Sequence, residues 1–391
     1  MPENRMHVYL DNSATTRPCA QAVEAVARAM RGAYYNPSAL YAQAAEAERA
    51  LQRSREVIAA SVQGDKDGVI FTSGGTESDN LAIAGWLAGV RGKGRVLYGA
   101  AEHPAVKNAC LDAAQRYGHT AEEIPLDSRG VLDTQALRGM LAPDVKLICV
   151  MQVCNETGAL MPLERVVALR DELAPQAAVH VDGVQGYLRV PFSMKALNVQ
   201  SYAVSAHKVH GPKGVGALIV RRGHRLRPIL LGGGQQNNLR SGTENTAGVA
   251  GFTAAVESYP PMETARATLL GLKRLAVERL AAAIPECVIL GPEPLGPDAA
   301  PHILYIALPP VRAETMVHAL EAAGVLAGTG SACSSHKNRR SEVLAAMGVK
   351  PALMDGAVRI SLSVDNTAEE ITYATEQIAE QYKLLARFTR R

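Results

Sequence analysis

Short runs of apolar, β-favouring residues alternate along this chain with longer Ala-rich stretches whose apolar positions recur at helical spacing. The runs Gly68–Thr72, Arg95–Gly99, Val145–Val153, Ala178–Asp182 and Ser201–Ser205 predict strands. After the first, Gly74-Gly75 turns into a predicted helix over Glu77–Ala88; the second is followed by one over Ala105–Tyr117. Strand, turn and helix in alternation predict an α/β fold, a mostly parallel sheet with helices on both faces. In such folds the chemistry sits beyond the carboxyl ends of the strands. The pattern changes after Ser258-Tyr259-Pro260-Pro261. A long helix begins near Glu263, then come strands near Cys287–Leu290 and His302–Leu308, a helix over Ala313–Ala323 and a strand over Gly356–Leu362. This part reads as a smaller α+β domain against which the extended N-terminal segment packs. The expected division is 16–258 against 1–15 with 259–391.

Composition narrows the class without changing the picture. The chain has 391 residues, enough to bury a large core without disulfides or metals. Lys and Arg number 41 against 38 Asp and Glu, a net charge of +3, which is no footprint of a DNA-binding protein. No apolar run approaches the ~18 residues of a membrane span, and the opening residues lack the apolar stretch of a secretory signal. The expectation is a soluble cytoplasmic protein. The six cysteines (Cys19, Cys110, Cys149, Cys154, Cys287, Cys333) form no Cys-x-x-Cys, so reduced thiols and no metal site are expected.

Most polar residues that stand out fall at the predicted strand ends. In Ser205-Ala206-His207-Lys208 a strand ends and a lysine follows in a His/Gly/Pro-rich turn, where poor hydration lowers its pKa and suits it to a Schiff base. Asp182 closes an apolar strand, with Gln185 three residues on. A buried carboxylate there needs a partner, either a pyridinium nitrogen or a helix N-terminus. Thr72-Ser73-Gly74-Gly75-Thr76 is a strand-to-helix turn whose amides suit a phosphate. His103 follows the strand ending near Gly99, placed to stack on a planar ligand or move protons. Cys333 lies among glycines and small hydroxyl residues, with His336, Lys337, Arg339 and Arg340 close by, surroundings that favour the thiolate. Arg359 alternates with apolar neighbours on a strand, where its guanidinium suits either a carboxylate ligand or a structural salt bridge.

Together these parts resemble the cysteine desulfurases, in the class V aminotransferase group of pyridoxal 5'-phosphate (PLP) enzymes. The resemblance runs from about Val8 to Leu362. It is carried by Tyr9-Leu10-Asp11-Asn12-Ser13-Ala14-Thr15-Thr16, Asn36-Pro37-Ser38, Thr76-Glu77-Ser78-Asp79-Asn80, Glu102-His103, Asn155-Glu156-Thr157-Gly158, His180-Val181-Asp182, Ser205-Ala206-His207-Lys208, Arg240-Ser241-Gly242-Thr243 and Gly330-Ser331-Ala332-Cys333. It implies the PLP-dependent transferase-like fold, fold type I. It also implies that Lys208 carries PLP, Asp182 pairs the ring nitrogen, Gln185 bonds the ring hydroxyl and His103 stacks on the ring as an acid/base. Gly75, Thr76, Ser205 and His207 would hold the phosphate, joined by Thr243 of a second subunit in a homodimer. Asn155 and Arg359 would bind the substrate carboxylate.

Cys333 would take sulfur from L-cysteine as a persulfide, leaving L-alanine. The Gly-Ser-Ala-Cys signature is similar to the subgroup with the longer catalytic loop. A sulfur acceptor follows from this chemistry, either an iron–sulfur scaffold or a tRNA-thiolation enzyme. Lys337, Arg339 and Arg340 either guide an acidic face of that acceptor or form a solvated basic turn. The nearest rivals are other class V enzymes, such as a selenocysteine lyase or an aminotransferase. An aminotransferase needs no nucleophilic thiol. Cys154, before Asn155, departs from the second Asn usual there and puts another thiol near the site.

Overall fold

The structure, a computed structural model, describes residues 6–330 and 340–388. Strand β1 (Val8–Tyr9) comes first, then α1 (Ala20–Gly32) and α2 (Ala42–Ser61). A seven-stranded sheet follows, built from β2 (Val69–Thr72), β3 (Arg95–Gly99), β4 (Thr120–Ile124), β5 (Val145–Met151), β6 (Ala178–Asp182), β7 (Ser201–Ser205) and β8 (Gly216–Val220). Its order is β2-β8-β7-β6-β5-β3-β4, and only β8 runs against the rest. Helices α3 (Gly75–Leu87) and α4 (Pro104–Tyr117) interleave with these strands. β6, β7 and β8 are buried at every position, because helices cover both faces of the sheet. The expected sheet is therefore present. β4 and β8 join it without having been foreseen.

One edge of this sheet collects the residues that matter. The parallel strands end there at Thr72, Gly99, Met151, Asp182 and Ser205, and the reversed β8 begins there at Gly216, opposite Thr72 and Ser205. The smaller elements are β9 (Val288–Ile289), β10 (Ile303–Ala307), β11 (Val325–Leu326) and β12 (Ala357–Ser361). β10 pairs antiparallel with β9 and β12, and β11 takes β1 from the chain's start. A second core lies here. Val8 and Leu10 pack in it with Leu269, Leu304, Ile306, Met316, Ile360 and Ile371. The larger core is not confined to residues before 259, since Tyr305, Val343, Leu344, Met347 and Ala357 belong to it. We propose that 16–258 forms one unit and 1–15 with 259–391 the other, meeting across those shared residues.

The segment Asp11–Thr16 bridges the two. On one side the Asn12 side chain and the Ser13 amide donate to Ser361, at 2.9 Å each. On the other, the Thr16 amide donates to the His207 carbonyl at 2.8 Å. Among the described residues no helix is long and apolar enough to cross a membrane.

Candidate active site

The glycine pair after β2 determines how the sheet edge opens. Gly74 has φ +150°, a backbone conformation open to glycine and strained for other residues. On Gly75, a Cβ would lie 2.6 Å from Val184 Cγ2, so glycine alone lets α3 begin against the turn that follows Asp182. No side chain caps α3, whose 13 residues put a positive dipole end and free amides at this turn. Ser205 is buried, its hydroxyl makes no hydrogen bond among the described residues, and it faces the turn 3.6 Å from where a Gly74 Cβ would be. Thr76 is exposed on the first turn of α3.

Lys208 ends a short 3-10 turn, Ala206–Lys208, directly after β7. Its Nζ donates to the carbonyls of Ser13 at 2.6 Å and Ala14 at 2.9 Å. Burial first, then the Arg359 and Arg189 cations, lower its pKa to about 8, against the opposing pull of Asp182 and Asp11. A lysine so tuned is partly neutral near pH 8, the form that attacks a carbonyl. Asp182 is buried at the end of β6. One oxygen accepts the Val184 amide at 2.9 Å; the other has no partner in the described protein. Burial, then the nearby Asp79, push its pKa up to about 7. One Asp182 oxygen thus closes a local turn, and the other is open among the described residues.

His103 stands at the N-terminus of α4 and accepts the Ala105 amide on Nδ1 at 3.1 Å, leaving Nε2 available. Burial lowers its pKa, with Asp182 opposing and Lys208 assisting, so the ring is neutral at physiological pH. His207 meets the Thr15 hydroxyl through Nδ1 at 3.2 Å, and burial next to Lys208 and Lys213 takes its pKa down to about 4. Gln185 donates to the Ser13 carbonyl at 2.9 Å rather than pointing free.

Arg359, on β12, is nearly enclosed. It donates to the Asn155 carbonyl at 2.7 Å and to Asp11 Oδ1 at 2.7 Å, while its Nε has no partner. Asn155 meets it through the backbone, and its side chain makes no hydrogen bond among the described residues. Cys154 is buried, and burial pushes its thiol pKa up, which disfavours the thiolate. Thr243 is exposed. Its segment is held near α3 by the Arg240–Glu77 ion pair at 2.8 Å.

Cys333, Lys337 and Arg339 lie outside the described residues. The residues flanking them are fixed. Tyr305 donates to the Thr329 carbonyl at 2.9 Å, and the Arg359 amide to the Gly328 carbonyl at 2.7 Å. Beyond them, Arg340 forms a two-bond pair with Asp355 at 3.0 and 3.1 Å. That pair takes up one of the three cations considered for acceptor guidance. Three site neighbours were not singled out from the sequence: Asp11 on Arg359, Glu102 beside His103, and Arg189, which donates to the Lys208 carbonyl. Asp11 and Glu102 do fall inside the quoted motifs, which was the available signal.

The class-V aminotransferase family model ("Aminotransferase class-V") matches residues 8–373. A cysteine desulfurase of Nostoc sp. is 34% identical, covering 97% of this chain and 95% of its own. The cysteine desulfurase NifS of Azotobacter vinelandii is also 34% identical, covering 95% and 91%. A solved NifS-like protein superposes with a TM-score of 0.89 at 32% identity, covering 97% of this chain and all of that one.

Proposed function

The chain belongs to the class-V aminotransferase family and is a PLP-dependent cysteine desulfurase, and from this premise we propose how its residues divide the work. The residues fit the cofactor. The open oxygen of Asp182 suits a protonated ring nitrogen, the turn at Gly74-Gly75 with the Ser205 hydroxyl suits a phosphate, and Lys208, its Nζ on the Ser13 and Ala14 carbonyls, supplies the amine. Gly75, Thr76, Ser205 and His207 would hold the phosphate, Gln185, now on the Ser13 carbonyl, would bond the ring hydroxyl, and His103 would contact the ring. Bound there, PLP supplies an electron sink that makes the α-proton of an amino acid removable.

The chain's own groups do the rest. Arg359 turns its unpartnered Nε toward the substrate carboxylate, with the Asn155 side chain as second donor. Lys208 Nζ, released from Ser13 and Ala14, takes and returns the proton at the substrate α-carbon. His103 Nε2 serves as the second acid/base. The Cys333 thiolate attacks the sulfur of L-cysteine: an S–S bond forms, the substrate Cβ–S bond breaks with its electron pair left on the carbon skeleton, and that skeleton takes up a proton and departs as alanine, leaving a persulfide on Cys333. The observation that carries this reading is Lys208, set directly after β7 with its Nζ on the Ser13 and Ala14 carbonyls, at the same sheet edge as the end of β6 at Asp182.

We further propose a homodimer, in which Thr243 of one subunit completes the phosphate site of the other. The exposed apolar side chains Met30, Tyr34, Leu40, Tyr41 and Leu231 are suited to such an interface. Sulfur then passes to an acceptor protein, an iron–sulfur scaffold or a tRNA-thiolation enzyme.

An anaerobic assay with L-cysteine, following alanine, sulfide and the mass of the Cys333 peptide, tests the scheme. Cys333→Ser is expected to load PLP and bind cysteine normally yet lose alanine and sulfide production by orders of magnitude. Undiminished sulfide from that variant would transfer the role to another thiol.

A further inference from the structure

Glu102 precedes His103, is buried, and has no part in the scheme above. Its Oε1 accepts the Met151 amide at 2.5 Å, and Met151 is in register with Asp182 across β5 and β6. Its own amide donates at 3.0 Å to the carbonyl of Gly99, the last residue of β3. One residue therefore joins the ends of β3 and β5 to the turn on which His103 stands. The second oxygen, Oε2, is enclosed and has no hydrogen-bond partner. Among the described residues the titratable groups whose charge bears most on Glu102 are Asp182 from β6, Asp79 from α3, Cys110 from α4 and Cys149 from β5, none of them a cation. An ionised carboxylate would leave a charged oxygen bare beside two other buried acids, a far larger cost than an enclosed hydroxyl.

We propose that Glu102 is a positioning residue that, as a neutral carboxyl, holds the His103 turn against the strand ends beside Asp182 and so sets where the imidazole lies over the cofactor. This rests on the reading of His103 and Asp182 as cofactor contacts. Burial, and next the Asp182 charge, push the Glu102 carboxyl well above its ordinary range, in keeping with the enclosed oxygen.

Glu102→Gln keeps a neutral acceptor for the Met151 amide; Glu102→Met keeps the volume and loses the acceptor. In the PLP-loaded protein, Glu102→Gln is expected within about threefold of the parent kcat, with the same visible absorption band. Glu102→Met is expected to lose tenfold or more in kcat with KM little changed, and to shift that band as the imidazole moves.

Cofactor-free protein gives a second readout. The folded chain keeps a proton that the unfolded chain releases above about pH 4.5, so this group makes stability fall as pH rises from there. The glutamine variant lacks that contribution. Relative to the parent, its folding constant should gain by up to about tenfold per pH unit over that range. Equal slowing in both variants would overturn the proposal, because a charge would then be required. So would a methionine variant indistinguishable from the parent, or superimposable stability curves of parent and glutamine variant. If the methionine variant does not fold, the kcat and stability curve of Glu102→Gln still decide. Failure of the parent to convert cysteine to alanine would instead count against the functional reading.

Discussion

Replacing Asp11 by alanine removes the one carboxylate that pairs with Arg359 among the described residues. The bond is 2.7 Å long, and the side chains are 3% exposed for Arg359 and 22% for Asp11. Two unit charges about 4 Å apart attract by about 4 kcal/mol at an effective dielectric near 20. Deleting one partner of a buried pair typically costs about 3–5 kcal/mol, because the other charge is left behind. Asp11 touches solvent, which screens part of this, and Arg359 keeps its bond to the Asn155 carbonyl. The expected loss for Asp11→Ala is therefore about 2–3 kcal/mol, and Asp11→Asn, which keeps an oxygen but no charge, should lose about half of that. Urea unfolding of the cofactor-free protein measures it, with Arg359→Met and the double variant completing a cycle. The double variant should cost clearly less than the sum of the singles, since no guanidinium remains to be stranded. A loss under about 0.5 kcal/mol for Asp11→Ala, or strict additivity, would refute the argument that this pair is electrostatically coupled.

Two further outcomes follow. Borohydride treatment should fix PLP to the peptide containing Lys208, and Lys208→Ala should abolish both that label and turnover; label on a different peptide would move the assignment. Lys273, buried with Nζ on the Ala300 carbonyl, has its pKa lowered to about 7 by burial. Its folded form gives up a proton that the unfolded chain keeps until about pH 10.5, so its share of stability rises with pH between those values, by up to about 1.4 kcal/mol per unit. Lys273→Met should flatten the parent's stability curve over pH 7–10, and an unchanged difference between the two across that range would show that the amine is not neutral inside the fold.

What the sequence made legible was what local pattern encodes. β5 is a largely apolar run, and β6 and β7 are runs that stop at a polar residue, so the existence of all three and the chemistry at the ends of β6 and β7 could be read directly. β4 escaped because Thr120–Ile124 is an edge strand with two glutamates and one buried residue. β8 escaped because it begins at a glycine against a reversed neighbour. The two-residue strands β1 and β11 have no signal of their own and exist through pairing across the chain. The same distinction holds in the site. Lys208, Asp182 and His103 announce themselves by standing at strand ends or the turns after them. Asp11 and Glu102 matter only through partners 348 and 49 residues away, and a local reading has no access to those distances.

The bridge from Asp11 to Thr16 also gives biosynthesis an order. Asn12 bonds the Ser361 carbonyl across 349 residues, and Val8 pairs with Val325. At ~5–20 residues per second, a ribosome takes roughly 20–70 s to make the intervening chain, far longer than helices and hairpins need to form. Until β11 is made, β1 has no native partner in the small unit, and by then the seven-stranded sheet has long been complete in sequence. Arg359, on β12, is thus made after every strand of the seven-stranded sheet, so the site gains its arginine only once β12 has been synthesised. A chain stalled before β12 would present Lys208 and the glycine turn without Arg359, a partial site able to meet the cofactor but without its arginine contact for an amino acid.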